Sequence, residues 1–169
     1  VRKLKITRDE FFDQLEGDVR ELIEGAEGIE MPKHGIRAGL KIKLPETKKA
    51  NWMKLSIPEY DRDLGVFELR VRTPGDLTVS HYQVADADGG VEVVYNMESE
   101  TFDKAKKGFT KGFSEAYYLG RMSTFLQNAE RNAIDLRSGI TPAMRKEEAE
   151  NRSGLTLLKK VFRKKKEEQ

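Results

Sequence analysis

YNMESETFDKAKKGFTKGFSEAYYLGRM, residues 95–122, changes its hydrophobic period part-way along, and that change decides the fold. Before it, the strand-like Val91 to Glu98 runs at period two. From Thr101 the apolar positions recur at helical spacing: Phe102, Ala105, Phe109, Phe113, Ala116, Tyr117, then Leu126, Ala129 and Ile134. That pattern predicts a helix from Thr101 to about Leu136, closed by Ser138-Gly139. At 1.5 Å per residue it is ~50 Å long, enough to cross a whole sheet.

Upstream, the period of two is sustained. Ile36, Ala38, Leu40, Ile42 and Leu44 alternate with Arg37, Lys41 and Lys43; Met53, Leu55 and Ile57 with Lys54 and Ser56; Phe67, Leu69 and Val71 with Glu68, Arg70 and Arg72. Such alternation marks strands with one wet face. Leu77 to Ala85 is a further strand, reached through the turn Thr73-Pro74-Gly75-Asp76 and left through Asp86 to Gly90. Five successive strands joined by short loops predict an antiparallel meander. Leu4-Lys5-Ile6 reads as a sixth strand. Thr7-Arg8-Asp9-Glu10 is a capping box, followed by the buried stripe Phe11, Phe12, Leu15, Val19, Leu22, Ile23 and Ala26. Gly17-Asp18 interrupts the stripe, and Asp18 is a good N-cap residue, so two short helices with a bend are expected.

The chain has 169 residues, 37% hydrophobic and 36% charged, with a net charge of +2 and no cysteine. This excludes disulfides, thiolate metal sites and cysteine nucleophiles, and suits a reducing cytoplasm. The whole-molecule charge makes no strong case for nucleic acid. No run approaches the roughly 18 apolar residues of a membrane span, and Val1-Arg2-Lys3 opens without an apolar signal stretch. His34 sits in a loop. Zincin, nucleophile-elbow and phosphate-loop motifs do not occur. Asp86-x-Asp88-Gly89 resembles the start of a calcium loop, but Met97 stands where the bidentate glutamate belongs, so a hairpin turn is the better reading. Glu59, Asp61 and Asp63 read as a solvated strand end. No metal or cofactor is expected.

Gly108, Gly112, Ala116 and Gly120 fall four apart and form a ridge of small residues beside the aromatic ridge Phe109, Phe113 and Tyr117. Three partners fit such a surface: a curved sheet in the same chain, a ligand cavity between helix and sheet, or another helix across a dimer. The strand Leu77 to Ala85 mixes polar with apolar groups on both faces, His81 and Gln83 on one, Ser80 and Tyr82 on the other. A buried polar group needs a partner; a ligand supplies one, and backbone, water or Tyr95 supplies another. The candidate ligand contacts are therefore Phe109, Gly112, Phe113, Tyr117, His81 and Tyr82.

This element order resembles the helix-grip fold of the START-like (SRPBCC) superfamily, with its birch-pollen-allergen-like and polyketide-cyclase-like members. More narrowly, ITRDEFFDQLEGDVRELIEGAEG and the 95–122 junction look like a small bacterial family known only as a domain of unknown function. The likeness covers about residues 3–136. It implies an α+β fold in which a curved antiparallel sheet of about six strands, preceded by two short helices, wraps a long C-terminal helix, often over an apolar cavity. It implies no catalytic residues. The domain so defined is 1–138; residues 139–169 form a charged appendage. There Leu155, Leu158, Val161 and Phe162 share a side, beside the basic cluster Lys159, Lys160, Arg163, Lys164, Lys165 and Lys166, which is suited to an anionic membrane surface.

The expected function is a non-catalytic cytoplasmic binding protein that holds a small, mostly apolar molecule between sheet and helix. The alternatives are an interaction scaffold working through the tail, or a cyclase- or hydrolase-like enzyme using His81.

Overall fold

The computed structural model describes residues 1–26, 28–45, 52–102, 111–141 and 144–145, with the backbone alone for 111–121. These residues form six strands and two α-helices: β1 Arg2–Leu4, α1 Arg8–Glu24, β2 Leu40–Leu44, β3 Met53–Asp61, β4 Val66–Arg72, β5 Asp76–Ala87, β6 Gly90–Thr101 and α2 Lys111–Arg137. The strands make one antiparallel sheet in the order β1-β6-β5-β4-β3-β2. The meander is as expected, with β1 returning to pair with β6.

Four local readings change. The two short N-terminal helices are one helix, because the stripe Phe11, Phe12, Leu15, Val19 and Ile23 is buried without a break across Gly17. Burying each large side chain yields about 1.5–3 kcal/mol, which outweighs the ~1 kcal/mol helix cost of one glycine. The capping box does form, with the Glu10 amide donating to Thr7 Oγ1 and the Thr7 amide donating to Glu10 Oε2. β1 ends at Leu4 because the next amide, Lys5 N–H, donates to Glu130 Oε1 at 2.7 Å. β2 starts at Leu40, since the chain turns through Gly39 at φ +82°, whose amide donates to the Ile57 carbonyl. Thr101 belongs to β6 and not to the following helix: its hydroxyl donates to Asp76 Oδ1 and the Phe102 amide donates to the Gly75 carbonyl. The expected helical residues 103–110 lie outside the described residues.

The register shifts between Ser56 and Glu59. Pro58, which has no amide to donate, sits within that bulge and just past the last β2 partner, Leu40↔Ile57. Bulges bend the strand that carries them. The core lies on the inner face, where Leu4, Leu44, Leu55, Ile57, Phe67, Tyr82, Val84, Val91 and Val93 meet the α1 stripe. Met122, Leu126 and Ala129 of α2 are buried as well, and the Phe125 ring lies 6.3 Å from Phe11 and 6.1 Å from Tyr82.

By compactness the chain divides into Val1–Glu130 and Arg131–Gln169, where the sequence placed a boundary after Ser138. In the second unit the helix ends through Gly139 at φ +74°, and Arg145 is ion-paired with Asp135. The basic tail, Lys159 to Lys166, lies outside the described residues.

Candidate functional site

Alternation along β5 sorts its side chains. Ser80, Tyr82 and Val84 are buried on the inner face, so His81 and Gln83 point to the outer one. His81 Nε2 lies 3.6 Å from Glu59 Oε2, and the imidazole is 38% exposed. His81 and Tyr82 are therefore not brought together. Gly112, Phe113 and Tyr117 lie on the helical backbone of α2, whereas Phe109 and Gly108 fall outside the described residues. His34 is an exposed loop residue, as expected.

Tyr82 stands at the centre of an aromatic cluster. Its ring lies 6.0 Å from Phe11, 6.0 Å from Phe67, 6.1 Å from Phe125 and 5.0 Å from Tyr95, its direct cross-strand partner. These tilted and edge-on geometries suit the ring quadrupoles. Tyr60 extends the row, 5.7 Å from Phe12 and 5.9 Å from Phe67. A charged network closes that end: Tyr60 donates to Glu16, while Arg62 donates to the Tyr60 hydroxyl at 2.7 Å and to Asp13 at 2.8 Å. Burial, then the hydrogen bond to Glu16, raises the pKa of Tyr60.

Polar groups gather around this cluster. Burial, then Tyr95 and Asp18, pushes the Tyr82 phenol far above its usual range. Tyr95 is raised chiefly by burial, with Ser80 close enough to offset part of the effect. Its hydroxyl nonetheless has no hydrogen-bond geometry to any partner among the described residues. Asp18 keeps an exposed edge, yet enough protein surrounds its carboxyl to raise the pKa from 3.8 to about 6, burial first and the Glu21 charge second. Asp18, Ser80, Tyr82 and Tyr95 thus offer one carboxyl and three hydroxyls beside a largely apolar wall. Such a set can hold the polar head of an otherwise apolar molecule.

Two of these residues escaped the sequence reading. The sequence pattern makes Asp18 a helix cap, a role that the continuity of α1 removes. The sequence offers Tyr95 only as a partner for His81 or Gln83, which lie on the other face; its position opposite Tyr82 is the available signal. No cluster of His, Cys, Asp or Glu suited to a metal occurs among the described residues. Among those residues, too, no helix is long and apolar enough to cross a membrane.

A family model described as "Domain of unknown function (DUF3284)" matches residues 1–114. The chain belongs to the DUF3284 family. The match spans α1, the whole sheet and the start of α2, so it includes Asp18, Ser80, Tyr82 and Tyr95, while Tyr117 and Phe125 lie beyond it. This agrees with the narrower of the two resemblances. Among curated proteins none matches the chain.

Proposed function

We propose that this DUF3284 protein is a non-catalytic binding protein of helix-grip type, related to the START-like superfamily, that holds a small, mostly apolar molecule against the inner face of its sheet. The observation that carries the reading is the buried Tyr95 hydroxyl, which lacks a partner among the described residues beside Tyr82 and Asp18. Leaving a buried hydroxyl unpaired costs about 1–3 kcal/mol, and a ligand head that accepts this hydrogen bond recovers it. Phe11, Phe67 and Phe125 provide apolar surface for the body of the ligand. Gly112, Phe113 and Tyr117 on α2, with Phe109, complete the proposed contacts. Catalysis through His81 is not favoured, because its ring shares the outer face with Glu59.

Native mass spectrometry of gently purified full-length protein tests the reading, together with titration of an apolar fluorescent probe. A retained small-molecule mass that the probe displaces, with both lost in a Tyr95→Phe variant, is the expected outcome. Protein that carries no added mass and takes up no probe would overturn it.

A further inference from the structure

The outer face of the sheet carries an arrangement that folding alone does not favour. Register places Lys43 directly opposite Lys54, and Lys54 directly opposite Arg72, so three cations form a row across β2, β3 and β4. Like charges directly opposite one another destabilise a sheet. In the next row Lys41 faces Ser56, which faces Arg70. Arg70 is held by Glu68 at 2.6 Å; Lys41, Lys43, Lys54 and Arg72 have no carboxylate at ion-pair distance among the described residues. Lysines on the edge strand β2 discourage sheet-to-sheet aggregation. That does not account for Lys54 and Arg72 on the interior strands.

These five cations, with Leu77, line a groove of about 470 Å³. Two aromatic rings stand against the charged row: Lys54 Nζ, at its middle, lies 5.4 Å from the Trp52 ring centre, and Arg72 Cζ, at its β4 end, lies 4.8 Å from that of Phe102. Beyond Leu77 the sign reverses, since Leu77 faces Glu100 and Val79 faces Glu98. An anionic chain is thus attracted to the end of β2–β4 that carries Lys41, Lys43, Lys54 and Arg72, and repelled from β6 and from the opposed Glu59 and Glu68 at the other end of β3 and β4. A net charge of +2 conceals this division.

We infer that this groove binds single-stranded nucleic acid, its phosphates on Lys41, Lys43, Lys54 and Arg72 and its bases against Trp52 and Phe102. A basic groove that follows the backbone between aromatic stacking surfaces is the combination such ligands require. An acidic peptide has the charge but no use for the rings, and a bilayer cannot enter a groove. The inference concerns the opposite face of the sheet from the proposed ligand site and stands independently of it.

Fluorescence anisotropy of full-length protein with a labelled oligouridine of about 12 nucleotides tests it. Binding is expected to fall with salt at a log–log slope of about −3, the value for roughly four neutralised phosphates. The double variant Lys54→Glu/Arg72→Glu should weaken binding by at least tenfold, with unchanged circular dichroism. Lys3→Glu, which faces outward on β1, should have little effect. Three results would overturn the inference: no binding at low salt, groove variants that bind like wild type while Lys164→Glu/Lys165→Glu abolishes binding, or displacement by polyglutamate at equal charge concentration.

Discussion

Tyr82 and Tyr95 face each other across β5 and β6 with ring centres 5.0 Å apart, and both phenols are made weaker acids by burial. Two hydroxyls in one poorly hydrated space need acceptors, and the Tyr95 oxygen has none among the described residues. Stability and ligand retention should therefore respond in opposite directions when that oxygen is removed. Tyr95→Phe keeps the ring and deletes the unsatisfied group, so the ligand-free protein should gain about 1 kcal/mol. Retention of a bound small molecule should fall. Urea melts, paired with native mass spectra, measure both; a destabilised variant that keeps its ligand would contradict the role given to Tyr95.

Asp18 makes stability depend on pH with a definite sign. Its folded pKa, about 6, lies above the ordinary 3.8, so the folded state holds the proton more tightly than the unfolded chain. Its contribution is most favourable below about pH 4 and is lost as pH rises through 6. An unscreened shift of this size would correspond to about 3 kcal/mol, but the exposed edge of the carboxyl reduces the expectation to about 1 kcal/mol or less. Asp18→Asn should accordingly melt higher than wild type at pH 7.5, with the difference vanishing near pH 4. A constant difference across that range would show that Asp18 does not titrate in this window.

How far the fold could be read from the sequence follows from where local signals agreed with packing. The alternation of Leu40 to Leu44, Phe67 to Val71 and Val91 to Val93 is a direct consequence of one buried face, so the antiparallel meander was legible, whereas the pairing of β1 with β6 was not. Gly17-Asp18 reads locally as a breaker, whereas the burial of Phe11, Phe12, Val19 and Ile23 keeps the helix continuous through it. The start of β2 and the end of β1 depended on bonds from distant residues, Ile57 and Glu130, which no local pattern displays. Of the candidate site, the mixed polarity of both faces of β5 left His81 and Tyr82 equally eligible, and only the burial of Ser80, Tyr82 and Val84 chooses between them. Tyr95 becomes a neighbour of Tyr82 through the β5–β6 register, and Asp18 only once α1 is laid on the sheet.

Gly65 is fixed by a close backbone approach. It has φ +70°, and an added Cβ would stand 1.9 Å from the Val84 carbonyl oxygen, while its own carbonyl accepts from the Val84 amide at 2.7 Å. Gly65→Ala must therefore both strain the backbone and push β5 away from the β3–β4 turn. A loss on the order of 3 kcal/mol is expected, reaching the aromatic cluster through the adjacent Phe67↔Tyr82 pair. Gly17→Ala is the natural contrast, since its Cβ would meet nothing within 4 Å; that variant should gain about 1 kcal/mol. Chemical denaturation of the two side by side checks the pair, and equal stabilities would refute the argument.

The charged row makes a prediction that separates a binding surface from a merely exposed one. Lys54 lies between Lys43 and Arg72, so replacing it with glutamate converts two repulsive cross-strand pairs into two attractive ones. Opposite charges placed directly across strands contribute roughly 0.2–1 kcal/mol each. Lys54→Glu should therefore raise the melting temperature by a few degrees at low salt, with the gain shrinking as salt screens the charges. If the row existed only for folding, this substitution would be an improvement without a cost. Under the groove assignment the same variant loses oligonucleotide binding while it becomes more stable, so weaker binding cannot be put down to misfolding. A variant that is both less stable and equally able to bind would remove the physical basis of the assignment.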